Sequence, residues 1–514
     1  MFIRGGIMKK AIIFILILLL AVIILFGCGE KERQPLDITP NPDVPGPERF
    51  AIETNQPELF EYFYKLNTGL FEAQGVYFTK WGPIEPEPPV NGVSNYTQIP
   101  TESWASKFLE KVKNSNIEFS TAIEFENNDW AIERNENITA ISPVNGKQVP
   151  GMARIKPEYE EEYKKFINYY YEIMPNLKYI QIDDEAENAW VDGEGYNRIL
   201  ELTKESIREN DLNLQVMAAG FNFSAEMTKI PMELQIEIKN TFPNIDEQKI
   251  RESLNVPDDF SSKQIMYLAQ KIHVLLTVLM REDPQFDILT IHYDGPRLYE
   301  TIESAIQWYK DIMNSYGYEK PIWIDDMHST YYPEVKAESE LDIMLNGGLM
   351  AGDAEAIKIQ EELGPTYLVR KTVGYFAAGA ERVKIAYGMD FEDYYLPAWK
   401  YSGLFTSDFK PKPTYFTAKE MIAKIDGFKT AERLGKEYLY KFTFENKGNV
   451  YVAWSEEGAK TIDLSKEFNS GEVRITHIVT ELKSNKEPIY PEDEIVPKGK
   501  VLISEIPIFI EEKE

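Results

Sequence analysis

Two short carboxylate-rich segments are the strongest sign of chemistry in this 514-residue sequence. Asp183, Asp184 and Glu185 follow the apolar run KYIQI, and Asp325 and Asp326 follow the apolar run PIWI. Two carboxyl groups can divide the work of a hydrolytic reaction, because one donates a proton while the other attacks a carbon atom or activates water. The segments therefore predict a carboxylate-based site if the fold brings them together.

Eight β-rich runs alternate with helical patterns and predict how these carboxylates are positioned. The runs are Arg49–Thr54, Gly75–Trp81, Ile117–Phe125, Lys178–Asp184, Leu214–Gly220, Ile288–Asp294, Pro321–Met327 and Arg382–Gly388. One intervening helix is expected over Pro157–Met174, whose apolar residues share one face. Eight β-then-α units predict an α/β fold, a (β/α)8 TIM barrel, in which chemistry lies at the carboxyl ends of the strands. No Gly-rich phosphate fingerprint follows any run, which disfavours an open dinucleotide-binding sheet.

The pattern changes at two places and predicts the domain organisation. Residues 48–427 are expected to form the barrel, with a mainly helical insertion over residues 224–287. After Gly427 come short alternating runs with turns. Residues 428–514 are therefore predicted to form a C-terminal antiparallel β domain.

The start of the chain has the features of a secretory signal. Lys9 and Lys10 precede the apolar stretch Ala11–Phe26, which is shorter than a membrane-spanning helix requires. Its ending resembles a bacterial lipoprotein box, which implies that residues 1–27 are removed and that Cys28 is lipidated. The alternative is an uncleaved membrane anchor. Both predict a protein of the cell envelope that faces outward, with the membrane as a partner.

Residues 28–47 contain five prolines and no apolar periodicity. Because Pro-rich segments are extended and semi-rigid, this segment predicts a tether between the membrane and the folded body.

Composition excludes several classes of partner. The chain has 55 Lys plus Arg against 84 Asp plus Glu, a formal net charge of -29. Nucleic acid is not expected as a partner, because nucleic-acid binders need a basic face. Acidic polymers are disfavoured for the same reason, and neutral sugars fit better. A single Cys excludes a disulfide framework and a Cys-rich metal site.

Residues 48–510 resemble the clan A glycoside hydrolases, particularly the families related to β-xylosidase and to small cellulase-type barrels. The matching phrases are Trp81–Glu87 (WGPIEPE), Tyr179–Glu185 (YIQIDDE), Ala218–Phe221 (AAGF), His292–Tyr293, Lys320–Asp326 (KPIWIDD) and Lys412–Tyr415 (KPTY). The resemblance implies hydrolysis of the glycosidic bond of a carbohydrate.

Carried over position by position, the resemblance implies that Glu185 is the general acid/base and Asp326 the nucleophile or base. Two departures stand out: Asp184 replaces the Asn that holds the sugar 2-hydroxyl, and Asp326 is one methylene shorter than the family's Glu. Three outcomes stay open, because a catalytic carboxylate that is misplaced by an ångström can lower the reaction rate strongly. The protein is a retaining enzyme with a compensating backbone shift, an inverting enzyme, or a barrel that binds glycan and cleaves it poorly.

Further side chains are candidates for sugar contact, and each has a structural alternative. The acidic turn could instead open a helix, the histidines could be satisfied rim residues, and the tryptophans could belong to the core. The candidate substrate-binding residues are Trp81, Trp130, Asp184, His292, Tyr293 and His328.

A divalent cation is the main competing chemistry. His292, His328, Asp294, Asp326 and Glu185 could converge on zinc or manganese. No His pair at i, i+4 or other ligand spacing supports such a site, so neither a metal nor a cofactor is expected. The second alternative is a catalytically inactive, glycan-binding surface lipoprotein.

Overall fold

The computed structural model describes residues 49–66, 68–73, 80–125, 128–141, 148–222, 230–254, 261–293, 301–331, 340–391, 397–435 and 438–513. The proposed signal peptide, Cys28 and the tether lie outside these ranges. The same holds for Asp294, for most of the predicted run Gly75–Trp81 and for parts of the insertion 224–287.

Eight parallel strands close into a barrel, which confirms the predicted fold class. In chain order the barrel strands are β1 Phe50–Glu53, β2 Leu70–Glu72, β3 Glu118–Ile123, β4 Leu177–Ile182, β5 Gln215–Asn222, β6 Ile288–His292, β7 Ile322–His328 and β8 Arg382–Ala386. Each strand pairs with its chain neighbours, and β1 pairs with both β2 and β8. Their carboxyl ends therefore lie around one mouth.

The second barrel strand lies upstream of the run predicted for it, most of which is outside the described residues. The barrel strand is the three-residue segment Leu70–Glu72, upstream of the predicted run Gly75–Trp81. Trp81 instead begins a short helix, Trp81–Ile84. The position of a strand depends on its partners in the sheet, and Leu70–Glu72 pairs with β1 on one side and β3 on the other.

One element was missed in the sequence. The segments Ile132–Ile141 and Gln148–Ile155 form an antiparallel pair between β3 and β4. This pair packs on the helix Gly193–Glu209 and includes Met152, which bridges to Trp190 beyond the end of β4. It therefore adds a wall to one side of the barrel mouth.

Helices surround the barrel and cover its strands. In the described ranges they are Phe60–Tyr64, Trp81–Ile84, Trp104–Lys113, Glu160–Ile173, Ala186–Ala189, Gly193–Glu209, Met232–Thr241, Glu247–Leu254, Ser262–Leu279, Ile302–Ser315, Glu340–Ala351, Ala354–Ala378, Pro397–Lys400 and Pro413–Ile425. The predicted helix Pro157–Met174 is a 3₁₀ turn at Pro157–Tyr159 followed by the α-helix Glu160–Ile173. Three of these described helices lie between β5 and β6.

A plug of apolar side chains fills the amino-terminal half of the barrel. It takes one buried residue from each of six strands: Ala51, Leu70, Tyr179, Met217, Ile288 and Trp323. Tyr179 and Trp323 meet edge to face, with ring centroids 4.8 Å apart. Because this end is packed shut, polar side chains gather at the opposite, carboxyl end.

The C-terminal part is an antiparallel β domain, as the sequence predicts. A six-stranded sheet contains Thr430–Arg433, Tyr438–Thr443, Val450–Trp454, Ile508–Glu512, Glu472–His477 and Glu494–Pro497, in that spatial order. A second sheet pairs Lys460–Ile462 with Val501–Ile503. Trp454 and Phe509 belong to the same buried cluster as the barrel helices, so the domain packs directly on the barrel.

Within the described ranges, no helix combines the length and the apolar character that crossing a membrane requires.

Candidate active site at the carboxyl ends of the barrel strands

His292, the last residue of β6, is the centre of the candidate site. Its Nδ1 lies 3.1 Å from Glu185 Oε1 and 3.9 Å from Asp326 Oδ2. Its Nε2 lies 3.3 Å from Asp184 Oδ1 and 3.8 Å from Asp325 Oδ2. Strands β4, β6 and β7 therefore bring four carboxyl groups to one buried imidazole, and four of the predicted site residues are together here.

The charge on His292 follows from these neighbours. Burial lowers the pKa of an imidazole, but Asp184, Asp325 and Glu185 outweigh it and raise the pKa of His292 well above its ordinary value. His292 is thus an imidazolium in contact with these carboxyl groups.

The backbone is strained at the residues that carry the carboxylates. Asp183, Glu185 and Asp326 have positive φ angles of 64°, 49° and 71°. They are three of the eight non-glycine residues with positive φ in the described ranges. This conformation is uncommon for non-glycine residues, and strain of this kind gathers at functional sites. The observation favours a functional role for the two strand ends.

Glu185 is held by several donors. Asn222 Nδ2 donates to Glu185 Oε1 at 3.1 Å, and Asn188 Nδ2 donates to Oε2. Burial raises the pKa of Glu185, but the contact with His292 and the charge of Lys271 outweigh it, and the net shift of the pKa is downward. Glu185 is therefore a carboxylate when no substrate is present.

Asp326 is also held as a carboxylate. Its Oδ2 lies 3.3 Å from His328 Nε2, and its side chain is 13% exposed. Burial raises the pKa of Asp326, but His328, His292 and Lys384 together lower it below its ordinary value. An ionised and partly accessible carboxylate has the state that a nucleophile or general base needs.

The separation of the two candidate catalytic groups is bounded by their shared contact. Glu185 Oε1 and Asp326 Oδ2 lie 3.1 Å and 3.9 Å from the same nitrogen, so they are at most 7.0 Å apart, the sum of these distances. Retaining glycosidases place their carboxyl groups about 5–5.5 Å apart and inverting ones about 6.5–9.5 Å apart. The bound includes the retaining range and the lower end of the inverting range.

Lys384 lies beneath the site and pairs with three buried carboxyl groups. It was not identified from the sequence. Its Nζ lies 2.6 Å from Glu72 Oε1, 2.8 Å from Asp325 Oδ1 and 3.7 Å from Glu53 Oε2. Burial lowers the pKa of a lysine, but the charges of Asp325, Glu72 and Glu53 raise the pKa of Lys384 well above its ordinary value. The sequence feature that could have identified Lys384 is a lysine inside the otherwise mostly apolar strand RVKIA.

We expect Lys384→Met to lower the unfolding free energy by about 3–5 kcal/mol at pH 8, because buried carboxylates lose their counter-charge. Even with Lys384 present, burial raises the pKa of Glu72 to about 7. Without Lys384 the folded-state pKa rises further, so the protonated folded form is favoured at low pH and stability falls as pH increases. Urea unfolding at pH 5 and pH 8 measures the difference.

The control for this variant is Lys384→Met combined with Glu72→Gln, which removes one of the uncompensated charges and is expected to recover part of the loss at pH 8. An equal loss at pH 5 and pH 8, with no recovery in the double variant, would show that Lys384 acts through packing alone.

Asp183 points away from the site. Its Oδ2 accepts a hydrogen bond from Trp190 Nε1 at 2.6 Å, and its Oδ1 accepts from the backbone nitrogen of Asp184 at 2.9 Å. Burial raises the pKa of Asp183 to about 8. Asp183 therefore fixes the turn that presents Asp184 and Glu185.

Two of the three aromatic candidates for sugar contact, Trp81 and Tyr293, are buried. Trp81 is fully buried, stacks on Phe166 with centroids 5.5 Å apart and belongs to the core, so the predicted sugar contact at Trp81 is wrong. Trp130 is partly buried and meets Trp81 edge to face. Tyr293 is buried, and its hydroxyl lies 2.8 Å from Thr301 Oγ1. The aromatic composition alone did not distinguish core from surface.

His328 is fully buried beneath Asp326. It stacks on Trp399 with ring centroids 4.6 Å apart, and its Nδ1 lies 3.2 Å from Ser402 Oγ. With Nε2 against Asp326 Oδ2, His328 orients this carboxylate. The predicted direct contact with sugar does not fit a side chain without exposed surface.

The buried Trp81 indole contacts a buried carboxyl group whose pKa is raised. Glu85 is fully buried and accepts a hydrogen bond from Trp81 Nε1 at 2.8 Å. Burial raises its pKa from the ordinary 4.5 to about 7 despite that hydrogen bond, and the nearby Glu162 carboxyl raises the pKa further.

We expect Glu85→Gln to increase the unfolding free energy at pH 8 by on the order of 3 kcal/mol. In the wild type a folded-state pKa above the unfolded value makes stability fall between pH 4.5 and pH 7, and the amide removes this loss. Chemical unfolding at pH 4.5 and pH 8 measures the effect. Glu87→Gln, two residues away and exposed, is the matched control. A gain of equal size at both pH values would contradict the assignment.

One group of ligand-type side chains lies close enough to hold a metal ion. Within the described ranges, ligand atoms of Asp184, His292 and Asp325 lie within 4.8 Å of one another. The set considered from the sequence shares only His292 with this group, and its other members were Glu185, Asp294, Asp326 and His328.

Comparisons with known proteins bear on the fold. No family model and no curated protein matches the sequence. A family 39 glycoside hydrolase from the gut symbiont Bacteroides cellulosilyticus WH2 matches with a TM-score of 0.56 and 12% identity, over 91% of this chain and 81% of that one. A conserved exported protein from Bacteroides fragilis matches with a TM-score of 0.51 and 9% identity, over 90% and 97%. At these identities the likeness is one of fold: the chain is a (β/α)8 barrel with a C-terminal β domain.

Proposed function

We propose that this protein is a glycoside hydrolase in which Glu185 is the general acid/base and Asp326 the nucleophile or base. One observation carries the proposal: the carboxylates at the ends of β4 and β7 meet at Nδ1 of His292 and are at most 7.0 Å apart. Hydrolysis of a glycosidic bond needs two carboxyl groups at about this separation.

The surroundings of the two groups match their proposed tasks. Asp326 is ionised, and it attacks the anomeric carbon or takes a proton from the water that attacks it. Glu185 is ionised in the free protein and must carry a proton to act as an acid. The proton on Nδ1 of His292 lies within hydrogen-bond distance of Glu185 Oε1, so its transfer yields the acid form. Asn222 keeps the carboxyl in place meanwhile.

The substrate contacts in this proposal come from Asp184 and Trp130, whose side chains are partly exposed. His292 positions the carboxylates, and His328 orients Asp326. Trp81 packs edge to face against Trp130 from the core.

The test is turnover of a panel of aryl glycosides by the wild-type protein, with the anomer of the first product identified by NMR. Retention or inversion of the anomeric centre then assigns Asp326 as nucleophile or base. The Glu185→Gln/Asp326→Asn double variant, purified in the same way, is the control for contaminating activity.

The alternative function is glycan binding without hydrolysis, and one observation favours it: Glu185 is held as a carboxylate and the second group is an aspartate. If the wild-type protein binds oligosaccharides but turns over no member of the panel, the binding function replaces the hydrolytic one.

We further propose an extracytoplasmic location, with a lipid on Cys28 and residues 28–47 as the tether. The supporting features are the basic residues, the apolar stretch and the Leu-Phe-Gly-Cys ending at Cys28. One acyl chain gives only marginal membrane binding, so stable anchoring requires more than one chain on this residue.

We expect Cys28→Ala to abolish fatty-acid labelling and to move the protein from the membrane fraction to the soluble fraction. Metabolic labelling and cell fractionation measure both effects. Thr39→Ala in the tether is the matched control and should retain the label and the location. A Cys28→Ala protein that stays in the membrane fraction, together with an unlabelled wild type, would instead support an uncleaved anchor.

A further inference from the structure

We propose that Asp184, His292 and Asp325 form a binding site for a divalent transition-metal cation, with zinc and manganese as the best-matched ions. This site does not depend on the proposed hydrolytic function. The residues come from three barrel strands, and imidazole plus carboxylate is a donor set that these ions accept.

The spacing of the ligand atoms suits one ion. His292 Nε2 lies 3.3 Å from Asp184 Oδ1 and 3.8 Å from Asp325 Oδ2. Ligand atoms about 2.0–2.2 Å from a tetrahedrally coordinated ion lie about 3.4 Å from one another. Two of the three separations differ from this value by no more than a few tenths of an ångström, and the third, between Asp184 and Asp325, is at most 4.8 Å.

In the described part of the chain, two of the three proposed ligand atoms make no hydrogen bond that would compete with a metal ion. Within the described ranges, His292 Nε2 and Asp325 Oδ2 are buried and make no hydrogen bond. Their side chains are only 7% and 4% exposed, and both atoms point into the same space. Buried polar atoms are nearly always satisfied in folded proteins. A bound cation satisfies both atoms at once.

The surroundings hold these ligands in a coordinating orientation. His292 Nδ1 lies 3.1 Å from Glu185 Oε1, and a carboxylate on the second ring nitrogen is the usual partner of a metal-bound histidine. A cation that binds Nε2 displaces the proton of that nitrogen, and the proton that stays on Nδ1 keeps the contact with Glu185. Lys384 occupies the other oxygen of Asp325, which leaves Oδ2 directed at His292.

The position of the His292 ring requires a glycine at residue 220. A Cβ at Gly220 of β5 would lie 2.1 Å from His292 Nε2, so any other residue would displace the ring. Asp184 is 28% exposed and lies on the mouth side, which leaves a coordination position open to water or another ligand. Four carboxyl groups within 3.9 Å of one imidazole supply the negative charge that attracts the cation.

The test is metal binding by the chain from Cys28 onwards after treatment with a chelator, without substrate. We expect isothermal titration calorimetry with Zn²⁺ or Mn²⁺ to show one tight site per chain. Co²⁺ should give visible absorption bands of a nitrogen- and oxygen-coordinated ion. His292→Gln and Asp184→Asn should each weaken binding by at least about 100-fold, and Glu185→Gln by about 10–100-fold through the orientation of His292.

The matched control is His477→Gln, which removes an exposed histidine 2.9 Å from Glu494 in the C-terminal domain. It should leave the affinity unchanged. Absence of a tight site in the wild type overturns the proposal, as does an affinity unaffected by both His292→Gln and Asp184→Asn. Asp184 is partly exposed, so its variant is expected to fold even if the buried His292 variant does not. Metal binding and glycoside turnover are measured separately, so failure of either leaves the other interpretable.

Discussion

Asp326→Asn is expected to lower kcat for hydrolysis of an aryl glycoside at least about 10³-fold, or about 4 kcal/mol in activation free energy. The amide has nearly the same shape as the carboxylate but neither attacks an anomeric carbon nor accepts a proton from water. Because Asp326 is ionised and partly exposed, this loss concerns the reaction itself. Substrate binding should persist, so KM changes much less than kcat.

The measurement is kcat and KM for wild type and variant, with thermal unfolding as a check on the fold. Asp283→Asn, an exposed aspartate in the loop that leads into β6, is the matched control and should leave the activity unchanged. In Asp326→Ala, which leaves space for an added anion, azide supplies the missing nucleophile if Asp326 attacks carbon, and the product is then a glycosyl azide of inverted configuration. A variant within tenfold of wild-type kcat would remove Asp326 from the catalytic pair.

The barrel could be predicted because parallel strands are buried on both faces and appear as short apolar runs between helices. Their carboxyl ends share one mouth, so Asp184, Glu185, His292 and Asp326 could be expected together although they span more than a hundred residues. The structure brings these four side chains together around one imidazole.

Other parts of the site depend on register, which the sequence does not reveal. Glu72 and Lys384 are 312 positions apart and form an ion pair only because β2 and β8 both pair with β1. The three-residue strand Leu70–Glu72 is too short to give an alternating pattern. The burial of Trp81 depends on neighbours from the helix Glu160–Ile173, which no local pattern identifies.

Glu185→Gln is expected to reduce kcat/KM by about 10²–10⁴-fold for substrates with poor leaving groups, such as alkyl glycosides or disaccharides. A glutamine cannot protonate the departing oxygen. A dinitrophenyl leaving group departs without protonation, so the loss for such a substrate should be much smaller. Glutamine can still accept the hydrogen bond from Asn222, which keeps the geometry of the turn.

The dependence on the leaving group separates proton transfer from simple positioning. Kinetics of wild type and variant with a series of aryl glycosides give the slope of log kcat/KM against leaving-group pKa, and the variant should be the steeper of the two. Glu282→Gln, an exposed substitution in the loop before β6, is the matched control with an unchanged slope.

A uniform loss across the series would show instead that Glu185 acts by fixing His292. That result would fit a carboxylate that stays ionised beside an imidazolium, as in the free protein. The proton transferred to the leaving group would then have to come from another residue. A steeper slope in Glu185→Gln, together with the loss of kcat in Asp326→Asn, requires both carboxylates to take part in bond cleavage. A glycan-binding barrel without hydrolytic function would show neither effect, because it has no turnover to lose.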